Sequence, residues 1–297
     1  RTRIIAGLGA ANSQGIMSWS YDDTPTALQY FAALVQSDDH LPLMEAAISI
    51  AQDAVPDLDL QAASAELDRL QVRLLQRLAG ETDSLQRLRV LNQVFYGELG
   101  FGGNLNDYYD PSNSYIHHVL QTRRGIPISV ALIWLELAAA IDLPAQGVSF
   151  PGHFLVKMRL PQGQVVMDPL SGESFSANSL AERLEPFWQN AGLSAEEAAP
   201  LGMYLQGASP RDVLERMLRN LQEIHHARRD WPLLVAVLNR LAVLRPDMPE
   251  IFRDRGLAYA QWGVTERALE DLERFLHSQQ GAQAVAVREV IRRLRGL

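Results

Sequence analysis

Gly125-Ile126-Pro127-Ile128-Ser129-Val130-Ala131, running on to Ile141, is the stretch on which the fold turns. From Ile128 to Ile141 every residue except Ser129 and Glu136 is apolar. A helix that is apolar on every side has no face for water, so this one is predicted to lie buried in the centre of a domain. Leu143-Pro144-Ala145 stops it.

Downstream the period changes from helix to strand. Phe154, Val156, Met158 and Leu160 alternate with Leu155, Lys157 and Arg159, which reads as a half-buried strand. Pro161-Gln162-Gly163-Gln164 is a turn, and Val165 to Asp168 is a second strand ended by Pro169. A tight hairpin would pair Leu160 with Val165. A register shifted by four would set His153 opposite Asp168. Both keep the same apolar face, so alternation does not choose between them.

Upstream the chain reads as helices. Thr24 to Val35, Leu43 to Ala54 and Leu60 to Leu78 all carry apolar residues at helical spacing, the last with Leu67, Leu70, Leu74, Leu75 and Leu78 on one stripe. Thr82-Asp83 caps a fourth helix from Leu85 to Leu99, closed by Gly100. Gly100 to Asn104 and Asp110 to Ser114 are loop chemistry, followed by a short helix from Tyr115 to Gln121.

From Pro210 the chain is helical again and repeats with a period of about 34 residues. Leu238 falls under Leu272, Leu241 under Phe275 and Leu234 under Ala268. The repeat resembles two tetratricopeptide units, 215–248 and 249–282, closed by a final helix from Ala282. In the second unit Gly256, Tyr259 and Ala268 hold the small–aromatic–small positions; the first carries Gln222 and His225 there. So short a solenoid is expected to pack on the middle domain. The expected division is 1–16, a flexible or non-native extension; 17–209, an α+β domain with a helical N-terminal part; and 210–297, an all-α repeat domain.

Composition bounds the chemistry. The chain has 297 residues, 47 % apolar and 21 % charged, enough for two globular domains. The absence of cysteine excludes disulfides, thiolate metal sites and a cysteine nucleophile. Net charge is −8, and residues 210–297, with 15 basic against 12 acidic side chains, carry the basic share. That excess is too small for a phosphate-tracking face, so no nucleic-acid partner is expected. No apolar run approaches a membrane span, and no apolar core of a secretory signal follows Arg1 and Arg3, which points to the cytoplasm.

Several side chains are candidates by type alone. His117-His118 suggests a metal, but neighbours on a helix point about 100° apart and no carboxylate completes an i,i+4 set. His225-His226 lies inside the first repeat unit, as surface or packing residues. Gly100 to Asn104 lacks a phosphate-binding lysine. Arg123-Arg124 is an anion clamp or, more simply, a solvated pair at the start of the buried helix.

Taken together, Gly125 to Ala131, the helix to Ile141, Leu143-Pro144-Ala145-Gln146, His153 and Asp168-Pro169 resemble the transglutaminase-like core, which shares a Cys–His–Asp logic with papain-type proteases. Asn113-Ser114-Tyr115, Arg124 to Ser129, Phe150 to Phe154 and Asp168-Pro169 are similar to the bacterial SirB family, whose members join this domain to tetratricopeptide repeats. The resemblance implies a thiolate at the helix start, a histidine that shuttles the proton and an aspartate that fixes its tautomer. Residue by residue, Pro127 stands in the cysteine position, His153 in the histidine position and Asp168 in the aspartate position.

The nucleophile is therefore missing while its two partners are retained. Ser129 lies two positions on, about 200° around the helix, and is expected to be a back-bonded serine rather than a nucleophile. Ser114 is a loop alternative. The leading expectation is a non-catalytic protein that binds a protein or peptide partner through its cleft and repeats, without cofactor or metal. The alternatives are a hydrolase or acyl-transferase that uses a hydroxyl or water with His153 and Asp168, and a helical binding module whose middle domain is only structural.

Overall fold

The computed structural model describes residues 25–78, 80–81, 83–104, 107, 109–161, 163–192, 194 and 197–296. The extension expected over 1–16 lies outside the described residues.

The N-terminal part is helical. α1 (Ala27–Leu34) opens on a capping box in which Thr26 and Gln29 satisfy each other's backbone. α2 (Leu43–Ser49) tightens into a 3₁₀ turn over Ile50–Asp53, which shortens the helix read to Ala54. α3 (Leu60–Leu78) has the bounds its pattern predicts. Leu67, Leu70, Leu74 and Leu78 are buried, but Leu75 is 50 % exposed, because one step past Leu74 turns the side chain out of the stripe. Asp83 caps α4 (Ser84–Asn92), with Oδ1 accepting the Gln86 N–H at 3.0 Å. The helix read to Leu99 instead widens into a π-turn over Gln93–Glu98.

The middle part is built around α6. Two short parallel strands, β1 (Gly102–Gly103) and β2 (Arg124–Gly125), flank α5 (Ile116–Thr122) and lead into α6 (Pro127–Ala140). Ten residues of α6 are buried, among them Trp134, whose Nε1 donates to Asn92 Oδ1 at 3.0 Å. The helix leaves directly into a three-stranded antiparallel sheet, β3 (Ala145–Val148), β4 (Leu155–Leu160) and β5 (Gly163–Met167), in that order.

The sheet corrects two sequence expectations. β4 is not half-buried at its start: Val156 and Met158 join the α6 core, while Leu155 packs with Val148, Phe150 and Val166 against α7 (Ala177–Asn190), a helix the pattern did not announce. Lys157 is also drawn in, its Nζ donating to the Leu205 carbonyl at 2.6 Å. The hairpin has neither expected register. Met158 pairs with Val165 and Leu160 with Gly163, two positions from each alternative.

After a single turn of helix, α8 (Leu201–Tyr204), the repeat helices follow: α9 (Pro210–Arg228), α10 (Trp231–Leu244), α11 (Pro249–Trp262), α12 (Thr265–Ser278) and α13 (Ala282–Leu294). Ser209 and Asp212 form a capping box at α9, and Gly263 ends α11 with φ +85°, a C-terminal stop suited to glycine. Between α11 and α12 a Cβ on Gly256 would stand 2.8 Å from Leu272, so only glycine permits that close packing. One core runs unbroken from α1–α3 through α6 into α9 and α10, and α1 and α2 touch α10 and α9.

Candidate functional site

Pro127 is the first residue of α6, where its missing N–H costs nothing and its fixed φ suits the helix. Gly125 just before it is held by packing: an added Cβ would lie 2.6 Å from Ser129 Oγ and 2.9 Å from Val119. Ser129 is fully buried, donates to the Asn113 carbonyl at 2.6 Å and accepts the Ile126 N–H at 3.1 Å. Its hydroxyl fastens the α6 start to the preceding loop. Ser114 is equally buried, and its Oγ has no hydrogen-bond partner among the described residues.

His153 sits in the turn before β4, its N–H bonded to the Phe150 carbonyl at 3.1 Å. The turn passes through Gly152 at φ +70°, against the ring of Phe187. Asp168 follows β5. The observed register, continued one step, sets Asp168 opposite Leu155, two residues from His153. The turn and the two side chains close that offset, leaving His153 Nε2 at 3.2 Å from Asp168 Oδ2.

The aspartate is clamped from several sides. Its Oδ1 accepts the Leu170 N–H at 2.8 Å, its carbonyl accepts the Gly172 N–H at 2.8 Å, and Tyr96 donates to the next carbonyl, of Pro169, at 3.1 Å. Tyr96 projects from the π-turn, a helix irregularity often found at working sites. Burial alone would raise the Asp168 pKa. The hydrogen bond from His153, the Leu170 N–H and the charges of His153 and Arg183 outweigh it and hold the carboxyl below its ordinary value. Burial, with the charge of Asp168, drives the Tyr96 phenol upward, so it stays a neutral donor.

His153 and Pro127 open onto a cleft of about 490 Å³, whose other wall is α9. Ile126, Pro127, Ile128 and Ile224 make its apolar lining, while Arg216, Asn220, Glu223 and Arg228 project from α9. Arg216 donates to Ser149 Oγ at 3.0 Å and to the Phe150 carbonyl at 2.9 Å; Arg228 donates to the Tyr109 carbonyl at 3.1 Å. These α9 residues were not singled out from the sequence. Arg216, Asn220 and Glu223, spaced by four and three, mark one helix face, but nothing local says that this face meets His153.

A second groove, of about 600 Å³, lies in the repeat between α9 and α11. It shares Glu223 with the cleft. Gln222 bridges it, donating to Asp254 Oδ2 at 3.1 Å while accepting from Arg219 at 3.0 Å.

The remaining sequence candidates are dispersed. The rings of His117 and His118 are 6.4 Å apart and tilted, and among the described residues no three His, Asp or Glu side chains are grouped to hold a metal ion. His225 is buried beside Tyr115, while His226 is exposed. Arg123 is not a solvated clamp: it pairs with Glu66 at 2.5 Å and lies over the Phe101 ring. Arg124 bonds the Gly100 carbonyl, and Gly102 and Gly103 pair with β2, so the glycine loop is a structural brace.

Residues 61–219 match the transglutaminase-like superfamily, and residues 221–292 match the tetratricopeptide repeat. A UPF0162 protein of Xylella fastidiosa is 38 % identical over 80 % of this chain and 84 % of its own length. A UPF0162 protein of Pseudomonas aeruginosa is 31 % identical over 79 % and 83 %, and the UPF0162 protein YchA of Escherichia coli 27 % over 79 % and 86 %. No solved structure matches. Among the described residues no helix is long and apolar enough to cross a membrane.

Proposed function

Because the chain belongs to the transglutaminase-like superfamily, and within it to the UPF0162 proteins, we propose that it is a non-catalytic member, a regulator or scaffold that binds a protein or peptide partner through its cleft and repeats. The observation that carries this reading is Pro127. It lines the cleft, stands in the position that the family resemblance assigns to the cysteine, and has no reactive atom. The nearest hydroxyl along the helix, on Ser129, is already committed to Asn113 and Ile126. Tetratricopeptide helices commonly take a partner segment in their groove, which supports the second surface. The narrower SirB-type assignment and a cytoplasmic location belong to the same proposal; the first is supported by the run of motifs from Asn113 to Pro169.

A second reading is favoured by one observation, the pairing of His153 with an ionised Asp168 at 3.2 Å. Such a pair suits a hydrolase or acyl-transferase that activates water or a hydroxyl. The test is a panel of amide and ester substrates with the full chain. The non-catalytic reading expects no turnover above buffer. Turnover abolished in both His153→Ala and Asp168→Asn overturns it in favour of the second.

A further inference from the structure

The hydrogen-bonding groups facing the cleft fall into two sets. Arg216 and Arg228 are engaged, on Ser149 and Phe150 and on the Tyr109 carbonyl. They stand twelve residues apart on α9, about 18 Å of helix, and Arg228 is its last residue. Between them Asn220 and Glu223 have no hydrogen-bond or ion-pair partner among the described residues, although Glu223 is an exposed carboxylate on the cleft wall. Opposite lies His153. Its Nε2 lies 3.2 Å from Asp168 Oδ2, which leaves Nδ1 as the ring nitrogen outside that pair. The unused chemistry in the middle of the cleft is the Glu223 carboxylate, which accepts, and beside it the Asn220 amide, whose oxygen accepts and whose nitrogen donates, above an apolar floor.

We propose that the cleft receives a single basic side chain, Lys or Arg, from a segment of the partner protein, with its stem on Pro127, Ile128 and Ile224 and its cationic head at Glu223 and Asn220. This rests on the reading of the cleft as a protein-binding surface and specifies its partner. Long basic side chains bury their methylenes on apolar surface while the head stays at a polar rim, and this cleft presents that gradient. The engaged arginines at either end repel further positive charge, so the site selects one basic residue rather than a basic run. The net charge of −8 draws such a segment in from a distance.

The test is selection of random peptides displayed on phage against the full-length chain, with affinities of synthetic winners measured by calorimetry. Enriched peptides are expected to share one Lys or Arg. Their affinity is expected to fall about tenfold or more in Glu223→Gln, the scale of a charge-assisted hydrogen bond, and a Glu in the peptide at that position is expected to restore binding to Glu223→Lys. Glu223 is exposed, so both variants should fold, checked by their melting curves. Peptides that share no basic residue but are lost on Ile224→Asp overturn the basic-side-chain proposal and leave the binding reading intact. Basic peptides that bind Glu223→Gln as tightly as wild type also overturn it. Failure to enrich any peptide sinks both.

Discussion

Arg240 on α10, fully buried, holds the carboxylate of Asp53 at 2.5 Å and lies 5.0 Å from the ring centre of Phe31, so one guanidinium joins the repeat to the N-terminal helices. Its two terminal nitrogens are buried without a hydrogen-bond partner among the described residues. Removing Arg240 leaves the Asp53 carboxylate, itself 24 % exposed, without its partner and opens a cavity beside Phe31. Arg240→Ala is expected to cost about 2–5 kcal/mol, whereas Arg240→Met with Asp53→Leu should recover most of that loss. Urea denaturation of the three proteins measures it. Equal losses for the single and the double variant would contradict the argument.

Ser129 gives a prediction that separates fastening from chemistry. Ser129→Ala removes the hydroxyl that bridges the Asn113 carbonyl and the Ile126 N–H, which keep their own bond to each other at 3.3 Å, at a cost of about 0.5–1.5 kcal/mol in thermal stability. A fluorophosphonate probe is expected to leave the wild type unlabelled. Labelling that disappears in the variant would mean the hydroxyl reacts after all.

Acid should weaken the seam between α9 and the middle domain. Burial lowers the His225 pKa from its ordinary 6.5, against the carboxylate of Asp230 and with the help of Arg228; Tyr115 faces it from the α5 side. Burial, then His118, lowers His117 likewise. The unfolded chain takes up protons near pH 6.5 that the folded chain refuses, so this stabilisation is full above 6.5 and is lost as pH falls toward the lower folded values. The urea midpoint is expected to drop between pH 7 and 5. Replacing both histidines by Gln should flatten that drop, and an undiminished slope would assign it elsewhere.

Two glycines with similar backbones should respond differently. Gly172 (φ +76°) and Gly263 (φ +85°) both lie in the left-handed region, but a Cβ on Gly172 would come within 2.5 Å of the Tyr96 ring, and one on Gly263 meets nothing. Gly263→Ala is expected to cost about 1 kcal/mol for the backbone alone. Gly172→Ala adds the collision and should cost about 2–3 kcal/mol or more. Tyr96→Ala in the Gly172→Ala background should return part of that difference. Differential scanning calorimetry decides between equal and unequal losses.

Sequence reading succeeded where one residue type carries one physical meaning. α3 and α6 were legible because a leucine stripe and an all-apolar run each admit one placement. The hairpin register was not, since any even shift keeps Val156, Met158 and Leu160 on the same face. α7 hid behind Pro186, which lies inside it and reads as a stop. β3 carries Gly147, where a side chain would collide with Phe154, and of its four residues only Val148 is β-branched, too little to announce a strand. In the site, His153, Asp168 and Pro127 stood out through family resemblance. Asn220 and Glu223 did not, because an exposed Asn and Glu on a helix look the same whether they face water or a cleft.

α9 is both the first helix of the repeat and the far wall of the cleft. Because one core joins α9 to α6, the cleft and the repeat groove are two faces of the same helix, and Glu223 lines both. Cutting the chain ahead of Pro210 would not free a smaller working module; it would leave the cleft with one jaw.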